Sequence, residues 1–251
     1  MRLFSLLRIA LFPLIAAVSL FHLPSIRPVK AELYPIRKYS AADGLAQNFV
    51  NRIVVDSRGF IWICTNDGLS RFDGYGFTNF GHDEGLRFRN VRDLIETKDG
   101  HYWLATNGGL VRFNPNGTPN GRTGYAINGQ VPMFTLYQLP IDKQDRPVIS
   151  LARGPEGSIW CGTAIGLFQL TGQNGTFSLQ PTSLVSPDDS TRYIRSMIAD
   201  RNGIVWLGLS AGIIRYDPQR GATTYGRLEG LPDKEVSRIY EDSSGRLWAG
   251  T

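Results

Sequence analysis

Two cysteines and three histidines in 251 residues leave little material for a disulfide framework, a thiolate metal centre or a histidine-based active site. Cys64 and Cys161 lie far apart and outside any metal-ligand spacing, so a finger-type zinc site is excluded. One histidine, His22, sits in the leader, which leaves His82 and His101. Zinc draws on three or four protein ligands, and neither histidine has the companions for that. No Gly-x-Ser-x-Gly elbow and no phosphate-cradling glycine loop occurs, so no catalytic residue and no metal ligand is named. Long apolar runs are also scarce. The one present, from Ile9 to Phe21, has thirteen residues with Pro13 inside it, short of the roughly 20 that span a bilayer as a helix.

That run reads better as the core of a secretory signal. Arg2 and Arg8 give a positive start, and Val29-Lys30-Ala31 supplies a small-x-small cleavage site. Residues 1–31 are therefore expected to be a signal peptide, with an uncleaved signal anchor as the alternative, and the mature domain is 32–251. No cysteine follows the run to accept a lipid. Removing the leader takes away Arg2, Arg8, Arg27 and Lys30, leaving 23 basic and 22 acidic residues, a net of +1. The basic balance is thus a targeting effect, and no concentrated basic patch points to nucleic acid.

Every tryptophan occurs in the same local setting. The segments are Asp56 to Thr65 around Trp62, Asp99 to Thr106 around Trp103, Gly157 to Thr163 around Trp160, Asp200 to Leu209 around Trp206, and Asp242 to Thr251 around Trp248. Successive spacings are 41, 57, 46 and 42 residues, and the longest holds a Gly/Pro/Asn-rich insertion over 114–132. A repeat of that length built from short strands predicts an all-β propeller of four-stranded blades. In the first repeat, strands over 52–56, 60–65, 69–73 and 77–80 are separated by turns rich in Asp, Asn and Gly. No amphipathic helix is legible after residue 31. The blades are expected at about 46–80, 86–137, 147–180, 193–227 and 235–251, with each tryptophan filling the layer between neighbours. The cysteines, at equivalent repeat positions, are then two buried thiols.

The tail of a repeat reads as an aromatic strand followed by Gly-Leu, as in Phe77 to Phe80 before Gly85-Leu86 and Thr223 to Tyr225 before Gly230-Leu231. Ile36 to Tyr39 before Gly44-Leu45 repeats this tail. Residues 36–40 are therefore expected to be the outer strand of a closing blade. The fifth repeat reaches Thr251 straight after its second strand, so the ring is expected to be incomplete here and seven-bladed when complete, with open strand edges.

Asp56, Asp99, Asp200 and Asp242 recur in the turn before the Trp strand, which favours turn capping over chemistry. His101 is expected on a strand face and His82 in a loop. Two sequons, Asn116-Gly-Thr118 and Asn174-Gly-Thr176, read as polar turns. A ligand site has to be argued from architecture: in a propeller the loops between blades share a face with the loops between second and third strands. That face holds Asn48, Asn66, Asp67, Arg87, Phe88, Arg89, Asn107, Arg192 and Tyr193. Arginines, amides and aromatics there suit a small polar ligand such as a sugar or a carboxylated compound, and equally an ordinary solvated loop surface.

At these residues the chain resembles the two-component regulator propeller repeats. Asp56 to Gly74 matches an Asp-x-x-Gly turn, Ile/Leu-Trp-Ile-Gly-Thr, Gly-Leu and aromatic-Asp-Gly almost throughout, with Cys64 where Gly is usual. Lys38 to Leu45 resembles the start of such a sensor. Ala105 and Leu209 depart from the motif, so those turns are expected to differ locally. The resemblance spans about 36–251. It implies a periplasmic sensor region at the inner membrane, followed in the whole protein by further β structure, a membrane helix and an output such as a histidine kinase or diguanylate cyclase. It also implies an oligosaccharide-type ligand, pairing into homodimers through downstream regions, and no cofactor. A secreted propeller enzyme of the lyase or lactonase kind, or a protein-binding scaffold, is the competing reading.

Overall fold

The sequence of the repeat dictates how a sheet begins. Asp56 ends one short strand and closes a turn in which its Oδ1 accepts the backbone N–H groups of Arg58 and Phe60, at 2.9 Å each. Gly59 supplies the positive φ. The chain then reverses into the strand bearing Trp62. In the computed structural model, residues 36–119, 130–140, 147–154, 157–173, 176–185, 193–232 and 235–251 are described. The expected signal peptide, Arg192 and Asn174 lie outside them.

The first sheet comprises β1 (Val50–Val55), β2 (Ile61–Thr65), β3 (Gly68–Phe72) and β4 (Phe77–Phe80). The second comprises β5 (Val91–Glu96), β6 (Tyr102–Thr106), β7 (Gly109–Phe113) and β8 (Phe134–Tyr137). Then come β9 (Val148–Arg153), β10 (Ile159–Thr163), β11 (Gly166–Gln173) and β12 (Thr176–Pro181), followed by β13 (Ile194–Ala199), β14 (Val205–Leu209), β15 (Gly212–Asp217) and β16 (Gly221–Tyr225). The fifth sheet has β17 (Arg238–Glu241) and β18 (Leu247–Gly250). Within each sheet the strands pair in sequence order and antiparallel, which is the meander of a propeller blade. The first strands of successive sheets lie side by side, so they form the inner wall. Residues 36–40 form no strand. Tyr39 packs against Phe72, tilted, and edge-on against Phe77, at ring centroid distances of 5.1 and 5.6 Å.

Glycine at the start of the third strand is a packing requirement at Gly68, Gly109 and Gly212. Gly68 has φ +118°, and a Cβ there would stand 2.8 Å from the Phe80 carbonyl oxygen. Thr65, three residues earlier, donates its hydroxyl to the Gly68 carbonyl at 2.9 Å, and Thr106 and Thr163 do the same for Gly109 and Gly166. In the fourth repeat Leu209 replaces this threonine, yet Gly212 keeps φ +129°. The backbone turn survives there without the hydroxyl.

The core is a series of layers between consecutive sheets. Trp62, Cys64, Leu69 and Phe80 of the first sheet meet Val91, Leu94, Tyr102 and Phe113 of the second. Trp103 and Leu110 meet Leu151, Cys161 and Phe168, and Trp160 and Leu167 meet Ile194, Met197 and Leu207. Trp62, Trp103 and Trp160 are each covered by the sheet that follows, and Trp206 partly so. Trp62 is fully buried, whereas Trp248 on the fifth sheet is 56% exposed. Removing such a ring from a packed layer costs about 3–5 kcal/mol. Cys64 and Cys161 are buried free thiols in separate layers.

Candidate functional site

On the face shared by the interblade loops and the second-to-third-strand turns, polar side chains form a network around the first two blades. Asn48 Oδ1 accepts the Ala41 N–H at 2.7 Å, which ties the site to the chain entering the first sheet. Asn66 Oδ1 accepts from Asn51 Nδ2 at 3.0 Å, and the same amide group reaches the Val91 carbonyl of the next blade at 2.7 Å. Asp67 pairs with Arg89 at 2.6 Å, and the Arg89 carbonyl accepts the Gly68 N–H at 2.7 Å. Arg87 lies over the Phe88 ring at 5.4 Å. Phe88 occupies the space a side chain at Gly108 would need. Asn107 accepts from Arg92 Nε at 2.9 Å. Tyr193 stands on the fourth blade, with the Arg195 guanidinium over its ring at 5.1 Å.

The structure thus brings Asn66, Asp67 and Arg89 together at the junction of the first two blades, and leaves Asn48 against the segment that enters the first sheet. It places Arg87, Phe88 and Asn107 on the second blade and Tyr193 on the fourth. Arg192 falls outside the described residues.

The sequence reading missed three polar residues of this face: Asn51, Arg92 and Arg195. Each sits at a register shift in the inner strand, between Val50 and Arg52, Val91 and Asp93, and Ile194 and Ser196. A β-bulge there adds one residue and turns its side chain out of the sheet. Asn51 and Arg92 consequently reach the adjoining turns, and Arg195 pairs with Glu235 of the next connection at 2.9 Å. The one available signal was a polar residue just inside each inner strand.

Two other expectations are corrected by geometry. His101 is in the turn before β6, and its Nδ1 lies 2.6 Å from Asp99 Oδ2. Asp99 is also not the counterpart of Asp56. Asp56, Asp200 and Asp242 each stand six residues before their tryptophan and accept its indole N–H at 2.9 Å. In the second repeat that position is Thr97, and in the third it is Gly154.

The family model for two component regulator propellers matches residues 44–67, 85–108 and 230–251. Those three segments are two-component regulator propeller repeats. Among solved structures, this chain resembles the extracellular domain assigned to the hybrid two component system BT4673 of B. thetaiotaomicron. That match has TM-score 0.62 and 22% identity, and covers 81% of this chain and 26% of that one. The corresponding domain of BT3049 gives 0.60 and 21%, covering 82% and 26%. Virginiamycin B lyase of Staphylococcus aureus gives 0.56 and 17%, covering 78% and 61%. The chain spans about a quarter of the length of the two-component domains. These likenesses establish the propeller fold and carry no ligand or reaction across. No curated protein matches the chain.

Beneath the loop face, the inner wall of the propeller carries Arg52, Asp93, Ser150, Ser196 and Arg238 at equivalent places, the first four just past a bulge. Asp93 is buried, with Arg52 Nε at 3.4 Å and the Leu151 N–H of the next blade donating to it at 3.0 Å. Ser196 accepts the Ile239 N–H in the same way, also at 3.0 Å. Burial pushes the Asp93 carboxyl above its usual range, and this outweighs Arg52, the two backbone donors and Arg238, which pull it down.

Proposed function

We propose that this chain is part of the exported, ligand-sensing propeller of a transmembrane signalling receptor of the two-component type. The observation that carries the reading is the set of family-specific repeats. The polar and aromatic residues of the loop face, supported on rigid strands, suit recognition of a small polar ligand, an oligosaccharide among the candidates. The segment acts by binding: ligand on the loop face biases how paired receptors sit, and a membrane helix passes that bias to a kinase or cyclase output. The expected leader over residues 1–31 delivers the domain to the periplasmic side of the inner membrane. The test is to follow the gene beyond the codon for Thr251. Further blades, a transmembrane helix and a kinase or cyclase domain are expected. A ring that closes and stops would overturn the receptor reading and favour a secreted propeller.

A further inference from the structure

The opposite face of the propeller, where first strands turn into second strands, carries a device that ties neighbouring blades together. Glu96 ends β5, seven residues before Trp103. Its carboxylate accepts the Ser57 N–H and the Ser57 hydroxyl of the preceding blade's turn, both at 2.7 Å. Glu241 ends β17, seven residues before Trp248. It accepts from the Arg201 N–H at 3.2 Å and from Arg201 Nε at 2.7 Å. In each case a glutamate from one blade caps the turn of the blade before it.

The junction of the second and third blades lacks this glutamate. Seven residues before Trp160 stands Arg153, and the turn residue it should meet is Lys98. Two cations therefore replace a carboxylate and its donor. The Lys98 N–H, counterpart of the capped Ser57 and Arg201 groups, makes no hydrogen bond among the described residues. Ala199 holds the position at the following junction, so no carboxylate is supplied there either.

A cavity of about 1060 Å³ opens at this place, with Lys98, Trp103, Arg112, Arg153, Gly154 and Phe177 in its wall. The other charges of the wall are already engaged. Asp99 is held by His101 and Thr97, Asp200 by Trp206, and Arg201 by Glu241. Lys98, Arg112 and Arg153 have no carboxylate partner among the described residues, so the described part of the wall carries a surplus of positive charge.

Among the described residues, hydrogen-bond acceptors are missing in the same place. The turn carboxylate that receives the indole N–H in three repeats is absent from both turns here. Trp103 has Thr97 at that position and makes no indole hydrogen bond among the described residues. The Trp160 indole N–H is buried without a partner. Gly154, in the cavity wall, lies so close to it that a Cβ would come within 2.4 Å of Nε1. Aromatic surface completes the chemistry, with Trp103 and Phe177 edge-to-face at a centroid distance of 6.3 Å.

We propose that this cavity binds a carboxylate-bearing ring compound, whose carboxylate takes the place of the missing glutamate between Lys98 and Arg153 while its ring lies against Trp103 and Phe177. The site is separate from the loop face. A carboxylate bonded to cations and a backbone N–H makes charge-assisted hydrogen bonds, which are stronger than neutral ones. The aromatic pair offers the apolar wall that small-molecule pockets need.

The experiment is a titration of the ¹⁵N-labelled chain with benzoate, following the indole N–H resonances, with benzamide as the neutral twin and sodium chloride as the ionic control. Benzoate should shift the Trp103 resonance saturably, with a Kd on the order of 1 mM, and leave that of Trp62 in place. Benzamide and chloride should do neither. Arg153→Glu installs the glutamate of the other junctions and should weaken benzoate at least about tenfold. Should that variant fail to fold, Lys98→Gln, at an exposed position, should weaken it in the same direction. Absence of a saturable benzoate shift, an equal shift with benzamide, or undiminished binding in a folded variant would overturn the proposal.

Discussion

At the scale of the residue, Asp56 shows how much one turn side chain can hold. Its carboxylate receives the buried Trp62 indole at 2.9 Å and the Tyr102 hydroxyl of the next blade at 2.7 Å, besides two backbone groups. Burial and that carboxylate push the Tyr102 hydroxyl up to about 12. Burial alone would raise the Asp56 carboxyl, but the donors from Tyr102, Trp62, Phe60 and Arg58 together outweigh it and set the group below its usual 3.8. Asp56→Ala strands two buried donors, each worth roughly 1–3 kcal/mol, so a loss of about 2–6 kcal/mol is expected in urea unfolding. The pH dependence has a definite sign. A carboxyl with a depressed folded pKa contributes stability that is present above about pH 4 and disappears as pH falls through the folded value. Asp56→Asn should therefore flatten the acid limb of the stability curve. An unchanged limb would mean that other carboxyls carry it.

At the scale of the element, each sheet offers one tryptophan face, and the energy of that face depends on what covers it. Trp62→Ala and Trp160→Ala should each cost about 3–5 kcal/mol, because both rings sit in filled layers. Trp248→Ala, at 56% exposure, should cost about 1 kcal/mol or less, within the range of surface substitutions. Equal shifts in the urea midpoint for Trp62→Ala and Trp248→Ala would contradict stacking of each blade on the one before.

The tryptophans, the Asp-x-x-Gly turns and the Gly-Leu starts were legible because they recur at fixed offsets within one repeat. What escaped was of three kinds. The bulges at Asn51, Arg92 and Arg195 leave the apolar pattern of the strand intact, so nothing in a two-residue period reveals the extra residue. The turns after the fourth strands also hold more than glycine. Asp43, Glu84 and Glu229 each stand just before Gly-Leu and accept the N–H three residues back, in Ser40, Gly81 and Gly226. The false equivalence of Asp99 with Asp56 has the same origin, since composition of a turn says less than distance from the tryptophan. Contacts between repeats, such as Glu96 with Ser57, join residues about forty apart and have no signature within either segment.

At the scale of the whole molecule, the inner wall links blades that the interblade layers join only in consecutive pairs. Asp93 on the second blade contacts Arg52 of the first and the Leu151 N–H of the third. Arg238 of the fifth blade donates to the Asn51 carbonyl of the first at 3.3 Å. One buried carboxylate thus stands among cations from two other blades, and it is held at the cost of its own hydration. Its pKa is displaced upward, opposite to that of Asp56, so its contribution to stability has the opposite sign. That contribution is full below about pH 4 and diminishes as pH rises through the raised folded value, where ionisation of the buried group is penalised. Asp93→Asn removes the titration while leaving an oxygen for one backbone donor. Its stability relative to the parent should therefore be lowest in acid and improve as pH rises towards neutrality, read as the difference in urea midpoint across that range. A difference that widens with pH instead would mean that Arg52 and Arg238 more than offset the burial of the charge, and the inner wall would then be held together by that ion cluster.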